Sequence, residues 1–124
     1  MKTQGESEAE ISKGVNQIYK GLLGRSTSNI RTNMVGSLVI VVLQNVLSVS
    51  EIQVVKDERG RVVVKEMCVA IIENTGPQFI QMIQLATGVQ VIDMHHDLSL
   101  KTGREIFVFS LEKEPKYRKK MING

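Results

Sequence analysis

The residues best suited to chemistry are concentrated in one stretch, VIDMHHDLSLKTGREIFVFSL at 91–111, which holds both histidines of the chain. Asp93, His95 and Asp97 stand at i, i+2 and i+4, so all three share one face of a strand. Two carboxylates flanking an imidazole can ligate a divalent cation. A small metal- or anion-binding sensor or enzyme is therefore one reading of the chain. Same-face side chains on a strand are spaced by roughly 6.6–7 Å, wide for three ligands on one ion without a bulge. A solvated strand face is the weightier expectation. His96 points to the opposite face with Ile92, Met94 and Leu98, which suits a partly buried, hydrogen-bonded histidine. Asp97, Ser99 and Thr102 are placed to hydrogen-bond turn amides.

Three further groups could act. Arg25, Arg31 and Arg104 could hold bicarbonate, a phosphate or an acidic partner; arginines scattered over loops and an edge strand more often face solvent. Lys116, Arg118, Lys119 and Lys120 around Tyr117 form a basic end that could touch an anionic membrane surface or a partner, or simply solubilise the chain. Cys68 lies in an apolar helical pattern and reads as a buried, inert thiol. No Ser/His/Asp or Cys/His arrangement emerges, so no catalytic residue and no cofactor is assigned. GLLGRST at 21–27 lacks the four-residue spacing and the lysine of a phosphate-binding loop.

The elements that must position these groups are legible in the patterning. Ile11, Val15, Ile18 and Leu22, widened by Tyr19 and Leu23, give a helix over 6–24 that stops at Gly24. Residues 29–44 form a hairpin about Gly36-Ser37, whose register pairs Val35 with Leu38, Met34 with Val39 and Ile30 with Leu43. Its second strand is apolar on both faces, and its first reads as an edge. Ser48-Val49-Ser50-Glu51 is a capping box with Leu47 and Ile52 as its hydrophobic staple, opening a helix to about Glu58. Arg59-Gly60 reads as the break. A longer helix over 61–86 follows, with Val63, Met67, Ala70 and Ile71 on one stripe and Phe79, Ile80, Ile83 and Ala86 continuing it. Gly76-Pro77 predicts a kink or restart, and Thr87-Gly88 the end. A second hairpin then closes the chain, with Gly103 in or beside its turn and a last strand, 105–112, apolar on both sides.

The order α, ββ, αα, ββ predicts a two-layer α+β domain: a four-stranded antiparallel sheet of two hairpins, with helices on one face. Strands 38–44 and 105–112 should be central. Residues 1–112 form that single domain, and 113–124 are expected to leave it as a flexible basic tail. The other sheet face keeps Leu38, Ile40, Val42 and one side of the last strand, a patch that predicts a homodimer or higher oligomer.

Composition narrows the function. Of 124 residues, 23% are charged and 42% apolar, the balance of a globular protein. Residues 113–124 hold five Lys/Arg against one Glu, and the rest eleven against twelve acids, so the net +3 resides in the tail. With no basic fold surface and only 4% aromatics, nucleic-acid binding is not expected. No apolar run approaches the ~20 residues of a membrane-spanning helix. The polar, acidic start is unlike a signal or transit peptide, and one cysteine fits a reducing cytoplasm.

The chain resembles the MpsC-like family of bacterial domains from about Glu6 to Glu112. The resemblance is carried by GLLGR at 21–25, IRT at 30–32 leading into LVIVVLQNVLSVSE at 38–51, ATGVQVI at 86–92 and the HxDLSxxTGRE pattern at 95–105. Family members commonly read Gly-Arg-Gly-Pro where this chain has Gly24-Arg25-Ser26-Thr27, and Leu-Thr-Pro-Ala-Glu where it has Leu47-Ser48-Val49-Ser50-Glu51. The second departure keeps the capping box. The resemblance implies a role beside a cation-translocating, membrane-potential-generating system with a bicarbonate-handling component, and it supplies no catalytic residues. The chain is thus expected to be a soluble, non-enzymatic accessory or regulatory protein of that transport system, cytoplasmic or peripheral at the inner membrane face, acting through oligomerisation and protein contacts.

Overall fold

A computed structural model describes residues 1–25, 27 and 29–119. The elements are α1 (Gln4–Leu22), β1 (Asn29–Val35), β2 (Leu38–Gln44), α2 (Val49–Val54), α3 (Glu58–Thr87), β3 (Val91–Ser99) and β4 (Arg104–Leu111). The four strands form one antiparallel sheet in the order β1-β2-β4-β3. The doubly apolar strands β2 and β4 are central, and the α+β architecture with helices on the sheet is the expected one. The first hairpin takes the predicted register, Val35 opposite Leu38 and Ile30 opposite Leu43, about Gly36 at φ +59°. Gly has no Cβ to oppose that positive φ.

Helices α1 and α3 pack on one face of the sheet. Ile11, Val15 and Tyr19 of α1 meet Val39, Val41, Leu43, Phe107 and Phe109 in one buried cluster that Phe79 and Ile83 of α3 complete. α1 begins two residues earlier than its apolar stripe suggested, because Thr3 caps it with a reciprocal Thr3–Glu6 capping box.

Helix α3 differs from expectation in three ways. It starts at Glu58, not after Gly60, because the Asp57 carboxylate caps it by accepting from the Gly60 amide at 2.7 Å. The chain breaks instead at 55–57, between α2 and α3. The buried stripe of its first half is Val64, Cys68 and Ile72, one residue on from the stripe read in the sequence; Val63 and Met67 are 51% and 37% exposed. The inward face runs through Gly60 and Gly76, which carry no hydrophobic signal but allow close approach. A methyl on Gly60 would sit 1.6 Å from the Val54 carbonyl oxygen, and one on Gly76 would sit 3.2 Å from Met94 Cε. Finally, the helix is continuous through Pro77, with no restart. Buried Ile72 and Phe79 on either side hold both halves to the same sheet.

The face opposite the helices stays open. Its outward residues lie in rows across β1, β2, β4 and β3: Arg31, Val42, Ile106 and Asp97; Asn33, Ile40, Val108 and His95; Val35, Leu38, Ser110 and Asp93. Leu38 is 38% and Ile106 37% exposed. At the start of β3 the register shifts between Val91 and Asp93. That irregularity leaves Ile92 exposed, so it does not share the inward face of Met94, His96 and Leu98.

Gly60→Ala tests the α2–α3 contact. Alanine in an open helix would stabilise by ~1 kcal/mol; here overpacking against the Val54 carbonyl reverses the sign, and a loss of about 2–3 kcal/mol in urea unfolding is expected. An unchanged or raised midpoint would remove the close approach from the account.

Candidate functional site

Where the sequence pointed to Asp93, His95 and Asp97, the structure places a different polar cluster at the centre of the molecule. Glu105, at the start of β4, is 5% exposed and faces the helices. One carboxylate oxygen accepts from the Tyr19 hydroxyl of α1 and the other from His96 Nε2 of β3. An ionised carboxylate only accepts, so Nε2 carries the proton that faces it. The His96 ring lies against Phe107, centroids 4.8 Å apart, and Phe107 against Phe79 at 4.9 Å. Phe79 meets Tyr19 edge-on at 6.1 Å. Burial, followed by the neighbouring Glu105 charge, pushes the Tyr19 hydroxyl far above its ordinary range, so it remains a donor. His96 matches the satisfied, partly buried histidine expected of it. Glu105 escaped notice because a glutamate opening an alternating strand reads as solvent-facing.

The cluster has no room for a substrate. Beside it, Tyr19, Arg25, Cys68, Ile72 and Glu105 line a cavity of about 10 Å³, less than or close to the space of one water. Burial raises the Cys68 thiol above its usual value, which disfavours the reactive thiolate. Tyr19, Glu105 and His96 therefore tie α1, β4 and β3 together; they do not open onto a chemistry-sized pocket.

A partly buried ion pair joins two of the motif segments. Gly24 turns the chain left-handed at φ +61°, and the Arg25 amide donates to the Tyr19 carbonyl at 3.0 Å. Arg25 Nη2 then reaches Glu51 Oε2 at 2.7 Å, while Nη1 donates to the Val46 carbonyl at 3.3 Å. Glu51 Oε1 closes the predicted capping box, accepting from the Ser48 amide at 2.8 Å. Burial alone would raise the Glu51 carboxyl, but the Ser48 amide and the Arg25 guanidinium outweigh it and hold it below its ordinary value. GLLGR and LSVSE are thus two halves of one contact.

The remaining candidates lie apart. Arg31 is exposed on the outer face of β1 and Arg104 at the start of β4, so the structure does not gather them with Arg25. On β3, His95 Nε2 is 3.6 Å from Asp93 Oδ1, whereas Asp97 accepts from Lys65 Nζ at 3.0 Å. Among the described residues no three His, Cys, Asp or Glu side chains are grouped to hold one ion. At the basic end, Pro115 is buried. The Tyr117 hydroxyl donates to Ser7 Oγ at 3.0 Å, the Arg118 amide to the Lys2 carbonyl at 3.0 Å, and the Arg118 guanidinium lies 3.4 Å from Glu6. Lys116, Arg118 and Lys119 are exposed beside the start of α1; Lys120 lies outside the described residues.

Two outcomes follow from these pairs. Glu105→Ala strands the Tyr19 and His96 donors in the core, and a loss of about 3 kcal/mol is expected in denaturant titration; a loss below ~1 kcal/mol, the worth of an exposed pair, would contradict that role. For Glu51 the folded carboxyl titrates below its ordinary 4.5, so its contribution is present at neutral pH and lost as pH falls through the folded value. Glu51→Gln should cost about 1 kcal/mol at pH 7 and flatten the acid limb of a melting-temperature profile. An unchanged limb would reject the linkage.

Residues 3–113 match the family described as "Na+-translocating membrane potential-generating system (MpsC)". The chain is 32% identical over 110 residues to the protein named "Uncharacterized protein YbcI" of Bacillus subtilis (strain 168), covering 89% of each chain. No solved structure matches it. With nearly its whole length matched, the chain belongs to the MpsC family.

Proposed function

We propose that the protein is a non-enzymatic accessory or regulatory component of a membrane-potential-generating cation transport system, acting through self-association and protein contacts. The family description supports the link to such a system. The observation that carries the mode of action is the open outer sheet face, where Leu38, Ile40, Val42, Ile106 and Val108 remain half-exposed with no helix among the described residues over them. The polar groups that could do chemistry are instead consumed in holding the fold: Glu105 by Tyr19 and His96, Glu51 by Arg25 and Ser48.

No helix among the described residues is long and apolar enough to cross a membrane, so within those residues the chain offers no helical ion path. Contact with the membrane machinery would come from its surfaces, including the exposed Lys116, Arg118 and Lys119. A cytoplasmic position at the inner membrane face suits such contacts. The alternative, a metal- or anion-binding sensor on Asp93, His95 and Asp97, has less support because Asp97 is already engaged by Lys65.

Membrane vesicles carrying the transport system, assayed for Na+-dependent potential with and without the purified chain, test this function. The added chain is expected to alter the size or onset of the potential. An identical potential in its absence would remove the accessory role.

A further inference from the structure

The open sheet face is asymmetric in charge. Along the β1 edge stands Arg31, exposed and without an ion pair among the described residues. Along the β3 edge stand Asp93, His95 and Asp97. Between the two edges lies the apolar strip of β2 and β4, which ends at Gln44 and the exposed Arg104 on the same outward face. The row Arg31, Val42, Ile106, Asp97 therefore runs from positive through apolar to negative. Asp97 is 77% exposed at its side chain, and Lys65 engages one of its two oxygens, Oδ1.

Building on the reading that the protein self-associates, we propose that two copies stack outer face to outer face about a two-fold axis parallel to the strands, midway between β2 and β4. Rotation about that axis carries β1 onto the partner's β3 and β2 onto the partner's β4, row on row. Arg31 then faces the partner's Asp97, and the same pair forms a second time by symmetry. Val42 meets the partner's Ile106, Ile40 the partner's Val108, and Asn33 the partner's His95. Leu38 and Val35 face the partner's Ser110 and Asp93 at the end of the sheet. Stacked sheets lie ~10 Å apart, a gap that an arginine and an aspartate extended toward each other can span.

The other in-plane axis, perpendicular to the strands, gives the opposite electrostatics. It lays β3 on the partner's β3 and β1 on the partner's β1 with the rows reversed, setting Asp97 against the partner's Asp93 and leaving Arg31 opposite the partner's Val35, so carboxylate meets carboxylate and the arginine meets no acid, which is costly across an interface. Charge selects the parallel axis. Size sets the strength: four strands of seven residues give a footprint of roughly 450 Å², against ~800 Å² per partner in a tight complex. A micromolar dimer is expected.

Sedimentation equilibrium of the intact chain across 1–500 µM tests the arrangement, using wild type, Arg31→Asp, Asp97→Arg and an equimolar mixture of the two variants. Each reversal alone should weaken dimerisation by about tenfold or more, because it turns two attractive contacts into repulsive ones. Mixing the variants should restore the dimer, since both 31–97 contacts in the mixed pair join opposite charges. Should Asp97→Arg fail to fold beside Lys65 by circular dichroism, Arg31→Asp and Val108→Lys at the centre of the face carry the test, both with the same expected loss. A wild-type chain that is monomeric throughout overturns the arrangement together with self-association. A dimer indifferent to Arg31→Asp and Val108→Lys overturns the arrangement alone and leaves self-association through another surface.

Discussion

The buried carboxylate of Glu105 is the constraint on which the interior depends. A charge taken from water is tolerated only when its oxygens are met by donors, and here one donor comes from α1 and the other from β3. The requirement fixes three elements relative to one another. Tyr19 must lie over the start of β4, and His96 must stand beside it in register with Phe107. The rings of Tyr19, Phe79, Phe107 and His96 then pack in series, surrounding the carboxylate with apolar surface that strengthens its hydrogen bonds. Every phenylalanine of an aromatic-poor chain is used in this region, Phe109 stacking on Phe107 at 6.0 Å.

The same arrangement divides the molecule into a closed side and an open one. Helices α1 and α3 have enough apolar surface to cover one face of a four-stranded sheet, and glycines at 60 and 76 let α3 settle close to its neighbours. No helix among the described residues lies over Leu38, Ile40, Val42, Ile106 and Val108. A sheet with both central strands apolar on both sides is built to be covered twice. Within one described chain it is covered once.

The family motifs acquire physical content in this frame. The Gly24-Arg25 pair is a left-handed turn followed by a guanidinium that crosses to the Ser48–Glu51 capping box. That contact needs only the glycine turn and the arginine. The HxDLSxxTGRE pattern divides similarly. Ser99 and Thr102 accept from turn amides at 3.3 Å, Gly103 takes φ +70°, and the glutamate that ends the pattern is Glu105 itself. The histidine that begins it, His95, is on the surface. Its neighbour His96 is the one that reaches the core.

Local signals determined the elements. Alternating apolar residues placed four strands, Gly36 and Gly103 placed the turns, Ser48 and Glu51 placed a helix start, and double-sided hydrophobicity made β2 and β4 central; each of these is decided by contacts within a few residues or by simple burial. The tertiary structure alone decided which polar groups are inside. Glu105 and His96 lie nine residues apart and meet across a hairpin, while Tyr19 arrives from eighty-six residues away, so no spacing along the chain announces their meeting. The rotation of α3 was hidden for a related reason. Its inward face runs through Gly60 and Gly76 beside Val64, Cys68 and Ile72, and the glycines pack by being small, which leaves no periodic mark in hydropathy. Tyr117 and Arg118 are held on the fold by Lys2, Glu6 and Ser7, more than a hundred positions away in the chain.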